Sequence, residues 1–355
     1  VTLSNKKISS VGLAQKVNMP NSPYGGKEYV HPHRLYFPER WNGYYYWMVV
    51  NPYPNSSDIY ENPCVYASND NINWVEPDGI SNPLKEWDGD VTHYSDPCLV
   101  LDNNGKTLHI IHRRSGAGSD NIFYILSSDD GVNWTDQVEI FRRSGVEVVS
   151  PVAIQSGNKY YMYYIEVSSS GNNKLKRVES FDLLNWSNEV ECILNNNDLN
   201  LWHIDVIQYG GGLILAANTM DFSRNVLFKS RDFQHFTLNA SDFLTRDVVG
   251  DRPIYKPDIL LIKTDSSLSL SLLYNLNGDT SSEGRDWELH HLRVPLPDDN
   301  AYFMETFKPR LYYTVAGNQV DIPLQKSAGY YKSINGVTTY YYQLDFSESV
   351  ISDLP

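Results

Sequence analysis

The chain has 355 residues and a formal net charge of −14, from 29 Lys and Arg against 43 Asp and Glu. That balance excludes wholesale nucleic-acid binding, which needs a basic face to displace counterions, and no apolar run approaches the roughly 18 residues of a membrane span. Three cysteines, Cys64, Cys98 and Cys192, exclude a disulfide framework and read as small buried hydrophobes, while 26 Tyr, 12 Phe and 8 Trp without a helix-period run point to β-structure.

In chain order, residues 1–24 are polar, carry Pro20 and Pro23 and lack sustained alternation, which predicts a lead-in packed on the outside. A three-strand unit then recurs. Its first copy spans strands at residues 31–37, 44–50 and 64–68, with an Asn42-Gly43 turn between the first two. The second has strands at 96–101, 107–112 and 122–127, and the third at 150–154, 160–165 and 175–178. The fourth has strands at 203–207, 213–217 and 226–229, and the fifth at 256–262, 268–274 and 287–292. Each run is of strand length and bounded by turn residues. Beyond Asp298-Asp299, alternating segments at 311–315, 320–324 and 337–346 predict a small β appendix that follows the repeats or completes the last of them. The two ends, Val1-Thr2-Leu3 and Asp353-Leu354-Pro355, read as cuts in a longer chain.

Four of the units close on one pattern: Ser68/Asp70/Trp74, Ser128/Asp130/Trp134, Ser180/Asp182/Trp186 and Ser230/Asp232/Phe236. The serine and aspartate can satisfy the backbone donors of a tight turn, and the aromatic can plug the space between neighbouring sheets. A reaction site is not built in four equivalent copies, so the pattern is structural. Repeats of this length stack radially. The predicted fold is therefore all-β: a lead-in at 1–24, a five-bladed β-propeller at 25–297 and a β extension at 298–355. The first strand of each blade lines the central channel.

The run Asp96-Pro97-Cys98-Leu99-Val100-Leu101-Asp102-Asn103-Asn104-Gly105-Lys106 resembles the opening of the second blade in family 43 glycoside hydrolases. Ser180-Phe181-Asp182-Leu183-Leu184-Asn185-Trp186 is similar to the blade-closing turn of the same family, and the resemblance covers residues 25–297. It implies three carboxylates in a central pocket: a base in blade one, a pKa-tuning aspartate in blade two and an acid in blade three. Inverting hydrolysis needs such a pair of unlike carboxylates. Asp96 takes the tuning place. His31 stands where the base belongs and Val149-Ser150 where the acid belongs, with Glu147 two residues back on the same strand face. His31-Pro32-His33-Arg34-Leu35-Tyr36-Phe37, with Trp41-Asn42-Gly43-Tyr44 and Glu61-Asn62-Pro63, also resembles the propellers of tail receptor-binding proteins of phages with Gram-positive hosts. That resemblance implies a homotrimer in a virion tail, or another extracellular protein, that recognises a cell-wall glycopolymer such as teichoic acid without hydrolysing it.

The candidate ligand-binding residues are His31, His33, Arg34, Glu61, His93, Asp96, Trp202, His203, Asp205, Arg252, Lys256 and Asp258, all on or beside the innermost strands. Trp202, His203 and Asp205 combine an aromatic face with planar polar groups, as a sugar site requires, and Trp41 is either a second such face or a turn plug. Arg34, Arg113, Arg114, Arg252 and Lys256 are the cations for a phosphate-bearing ligand. The histidine spacing carries no zinc signature. No cofactor is expected, although a channel-bound cation such as calcium suits the acidic residues. The first reading is a non-catalytic glycan-binding propeller. The second is an active family 43-like hydrolase with a non-standard set, Asp96 with Asp205 or Glu147, and the third is a structural platform alone.

Overall fold

The computed structural model describes residues 14–86, 93–115, 120–169, 171–195, 199–209, 212–264, 267–278 and 286–296, and strands within 310–343. The chain forms two compact units, one of Thr2–Ile262 with Ser269–Leu296, the other of Pro297–Pro355 with Lys263–Leu268.

The first unit opens with a two-residue strand, β1 (Gln15–Lys16). Blade 1 is β2 (Tyr29–Trp41), β3 (Tyr44–Pro52), β4 (Cys64–Ser68) and β5 (Trp74–Val75), and blade 2 is β6 (His93–Leu101), β7 (Leu108–Ser115), β8 (Asp120–Ser128) and β9 (Val138–Ser144). Blade 3 is β10 (Val148–Ser156), β11 (Lys159–Glu166), β12 (Lys174–Ser180) and β13 (Ser187–Glu191). A short β14 (Ile193–Asn195) leads to blade 4, which is β15 (Leu201–Tyr209), β16 (Gly212–Thr219), β17 (Arg224–Ser230) and β18 (His235–Thr245). Here β14 runs parallel to β18 and ties the end of blade 3 to the rim of blade 4. Blade 5 is β19 (Ile254–Thr264), β20 (Ser267–Asn277) and β21 (Trp287–Leu296).

The fourth strand of blade 5 is β1, so Gln15–Lys16 of the lead-in belong to the ring and are not an outer wrapping. Val17 N donates to Leu289 O in blade 5, and Asn18 then exchanges backbone bonds with Ile72 and Trp74 of blade 1. The second unit holds β22 (Arg310–Val315) paired with β23 (Asn318–Pro323), and β24 (Gln325–Ile334) paired with β25 (Val337–Gln343), each a separate two-stranded sheet. Among the described residues no helix is long and apolar enough to cross a membrane.

Apolar residues on both faces of each sheet pack against the neighbouring blade, as expected of sheets that cannot bury themselves alone. Val152 and Tyr163 of blade 3 meet Leu215 and Phe228 of blade 4, and Tyr29 and Met48 of blade 1 meet Leu260 and Leu273 of blade 5.

The serine and aspartate of the repeated turn are wired the same way in each copy. In blade 3, Ser180 Oγ donates to Asp182 Oδ1 at 3.0 Å, and that oxygen accepts the backbone N–H groups of Leu184 and Asn185 at 2.9 and 2.8 Å. The other carboxylate oxygen is held by the side chain of the residue before the aromatic: Asn73, Asn133, Asn185 or His235. The residue after the aspartate is left-handed in all four copies, Asn71, Gly131, Leu183 and Phe233. This residue reaches the preceding blade. Phe233 packs on Tyr161 at 5.0 Å, and Asn71 donates to Ser271 Oγ of blade 5.

The aromatics do not share one role, which corrects the expectation of four equivalent plugs. Trp134 and Trp186 are half-buried and close back onto their own turns through Nε1–H bonds to the carbonyls of Gly131 and Leu183. Phe236 has no ring N–H and cannot close its turn in this way. It lies inside β18 instead, paired with Ser230 on one side and Leu194 on the other. Its side chain is fully buried, and its ring meets that of Tyr163 in blade 3 edge-on at 5.8 Å. Phe236 is thus a strand residue of the core between blades 3 and 4, with the plugging role and without the turn-closing one.

Candidate functional site

The innermost strands of blades 1 to 4 each contain a register shift at the same place, between Val30 and His33, Ser95 and Cys98, Val149 and Val152, and Leu201 and Ile204. In the first three the two residues that oppose a single residue of the partner strand are X-Pro, and X is left-handed: His31 at φ 56°, Asp96 at 52° and Ser150 at 58°. Proline cannot donate to a ladder, so it sits where the pairing is broken, and bulges re-aim side chains. A left-handed φ in a non-glycine residue before proline is strained, and such strain is characteristic of functional sites.

These bulges bring His31, Asp96 and His203 together. Asp96 Oδ1 lies 3.5 Å from His31 Nε2 and 3.2 Å from His203 Nδ1, and Arg113 Nε lies 3.2 Å from Oδ2. All four residues are buried. Arg113 is anchored by Ser95 Oγ and the Val148 carbonyl. The hydroxyl of Tyr255, on β19, stands 3.0 Å from His31 Nε2 and 2.6 Å from His203 Nε2. Glu61, in the loop before β4, places Oε2 3.9 Å from His31 Nδ1 and 3.7 Å from His93 Nε2. Trp202 is half-buried at the edge of the cluster, its ring 5.4 Å from that of His203.

Burial lowers the pKa of His31 well below the ordinary value and lowers that of His203, against the pull of Asp96, so both rings are neutral near pH 7. Burial alone would raise the Asp96 carboxyl, but His31, His203 and Arg113 outweigh it and hold it well below the usual range. Burial and the Asp96 charge push Glu61 well above the usual carboxylate range. Asp96 Oδ1, Asp96 Oδ2 and His203 Nδ1 are buried with no hydrogen-bond partner. The Asp96 oxygen and the His203 nitrogen face each other 3.2 Å apart, within reach of a proton on Nδ1 or of a shared cation.

The remaining candidates separate from this centre. His33, Asp205, Asp258 and Arg34 form a second buried group. His33 Nε2 is 3.4 Å from Asp205 Oδ1, His33 Nδ1 accepts from Leu99 N, and Asp205 accepts from Val206 N and Ile259 N. Arg34 spends all five guanidinium donor sites on Asp258, Asn71, Ser271 and the carbonyls of Asp258 and Ser271. It is no ligand cation, because every donor is already engaged inside the fold. Lys256 is fully buried and its Nζ lacks a hydrogen-bond partner. Arg252 stays near the surface beside Glu288, at 3.6 Å. Glu147 restores no acid to the buried centre: its side chain is 52% exposed and lies 3.7 Å from Arg113. Trp41 is a plug, packed on Trp47 and Phe37, and Arg114 is half-buried on β7.

Sequence reasoning missed Tyr255 and Asn51, whose Oδ1 lies 3.4 Å from His31 Nδ1. The available signal for Tyr255 was its place just before Lys256-Pro257, the blade 5 counterpart of Asp96-Pro97.

No family model matches the chain. A 65-residue stretch, 18% of the chain, is 43% identical to the A type blood N-acetyl-alpha-D-galactosamine deacetylase of Flavonifractor plautii, and that match spans 8% of the deacetylase. Among solved structures, an N-acetylgalactosamine deacetylase from F. plautii in complex with blood group B trisaccharide superposes at a TM-score of 0.66. It is 18% identical, over 79% of this chain and 93% of that one. A thermostable family 43 glycoside hydrolase gives 0.59 at 14% identity, over 86% of this chain and 95% of that one. These relatives are carbohydrate-active enzymes, which corrects the expectation of a non-catalytic phage receptor-binding propeller. Blade one lacks the expected base and blade three the expected acid, and the bulges instead gather His31, His203 and Arg113 around Asp96. The chain is a five-bladed β-propeller that resembles the family 43 glycoside hydrolases and the F. plautii N-acetylgalactosamine deacetylase.

Proposed function

We propose that the protein is a carbohydrate-active hydrolase that removes an N-acetyl group from a sugar, with the reaction centred on a divalent cation held by His31, Asp96 and His203. The observation that carries this reading is the donor set itself: three buried ligand atoms within 4.8 Å of one another, two of them without any other partner. Metal–ligand bonds of about 2.1 Å place tetrahedral ligand atoms about 3.4 Å apart, close to the 3.5 and 3.2 Å separations from Asp96 Oδ1. Two imidazole nitrogens and one carboxylate oxygen suit zinc or a similar transition metal better than calcium, which takes oxygen ligands throughout. Such an ion supplies a Lewis acid that polarises a carbonyl and acidifies water.

The residues around it divide the remaining work. Arg113 neutralises the far oxygen of Asp96 and keeps the carboxylate ionised. Glu61 retains a proton to higher pH than an ordinary carboxylate and lies 3.9 Å from His31 Nδ1, which supports it as the group that exchanges protons with the departing amine. Trp202 offers an aromatic face to the sugar ring. Glycosidic cleavage asks for two separated carboxylates, and Ser150 stands where the family resemblance implies one of them.

Glu61 favours one second reading. A buried carboxyl with a raised pKa near an ionised Asp96 is the unlike pair that a glycosidase uses. A single experiment separates the two: acetate and reducing sugar are measured in parallel on N-acetylhexosamine-containing glycans, with wild type and Asp96→Asn. The expected result is acetate release that falls by about 10³-fold or more in Asp96→Asn, in line with the loss of an essential catalytic group, and no new reducing ends. Reducing ends that vanish with Asp96→Asn would move the assignment to glycosidic cleavage. Silence of both assays across the panel would reject both readings.

A further inference from the structure

We propose that Tyr255 and Asn51 are positioning residues that fix which nitrogens of His31 and His203 are unprotonated, and so make these rings ligands. The inference rests on the reading of His31, Asp96 and His203 as a cation site.

The argument is one of hydrogen-bond polarity. Asn51 Nδ2 donates to the Tyr94 carbonyl at 3.0 Å, which sets the amide orientation and turns Oδ1 toward His31. A carbonyl oxygen only accepts, so His31 Nδ1 carries the proton. In a neutral ring Nε2 then bears the lone pair. The Tyr255 hydroxyl, 3.0 Å away, must donate to that lone pair. Having spent its proton there, the same oxygen accepts from His203 Nε2–H at 2.6 Å. His203 Nδ1 is left bare, 3.2 Å from the bare Asp96 Oδ1. Reversing the first link would require the Asn51 oxygen to donate, and reversing the last would leave the Tyr255–His31 contact without a proton.

With the His31 lone pair engaged by an ion, Tyr255 would keep its other contact, accepting from His203 Nε2–H. Without the hydroxyl, nothing in the relay prevents His203 from carrying its proton on Nδ1, where it blocks ligation. Groups that orient metal-binding histidines in this way are typically worth 10- to 100-fold in affinity. The ring of Tyr255 packs on Trp287 at 5.1 Å and Phe222 at 5.5 Å, and phenylalanine preserves those contacts.

The test is cobalt(II) binding to the full chain, read by visible absorption and by competition with a chromophoric chelator, beside thermal melts. Wild type is expected to take up one ion, and Tyr255→Phe to bind about 10- to 100-fold more weakly with a near-native melt. Asn51→Leu reads the same relay from its other end should Tyr255→Phe not fold, and is expected to weaken binding in the same direction. Equal affinity of wild type and a folded variant would overturn the positioning role while leaving the site intact. Failure of wild type to bind cobalt would overturn the site and this inference together.

Discussion

Asp182 shows how much one exposed side chain can organise. Bonds from the Asn185 backbone and side chain draw its carboxyl from the ordinary 3.8 down to about 2. A depressed carboxyl stabilises the fold above its unfolded pKa, and that contribution disappears as pH falls through the folded value. The window is therefore from about pH 4 to about pH 2. Asp232 is drawn to about 2 as well, burial opposing its bonds to His235 and Gln234. In acid titrations followed by circular dichroism, Asp182→Asn should lose less stability across this window than wild type does. Parallel curves would remove the aspartate from the account. The turn aspartates were legible in the sequence because all their partners lie within five residues. Arg34 was not: its partner Asp258 is 224 positions away, and a charged residue seen in isolation says nothing about whether its donors are already engaged. Tyr255 was hidden for the same reason, since it lies 224 positions from His31 in sequence.

At the level of elements, the blade-closing turn carries a second function besides ending a strand. Its left-handed residue reaches the preceding blade, and the size of that residue is matched to what it meets. In blade 2 the residue is Gly131, at φ 76°, and a Cβ there would overlap the Trp47 ring and lie 2.9 Å from Trp41 Cζ3 of blade 1. Gly131→Ala combines backbone strain with overpacking against two indoles, and should cost about 2–4 kcal/mol in denaturant unfolding. A change below about 0.5 kcal/mol, the scale of an ordinary surface substitution, would show that the tryptophans yield freely. The blades were readable because period-2 alternation and turn residues are local signals. β1 was not, because Gln15-Lys16 is two polar residues long and becomes a strand only when β21 is beside it. The bulges fall between these cases: X-Pro marked their position, but the left-handed twist that aims His31 and Asp96 at each other follows from the assembled ladder.

For the molecule as a whole, the net charge of −14 and the neutral, buried imidazoles favour an uncharged glycan over a polyanion, since long-range repulsion slows the approach of like charge. The hydrogen bonds that seal the ring also impose an order in time. Val17 must find Leu289, and Asn18 must find Trp74, so the last blade contains both the earliest and the latest parts of the propeller chain to emerge during synthesis. Pairings of such sequence separation are slow to form. Until β21 is available, β1 has no partner in blade 5 and is open to other chains, a period of vulnerability to misassembly that four correctly folded blades do nothing to shorten. Pulse-labelled hydrogen exchange during refolding should therefore show the Val17 amide, bonded to Leu289 O, gaining protection after those of β7 and β11. Simultaneous protection would mean that the circle closes in one concerted event.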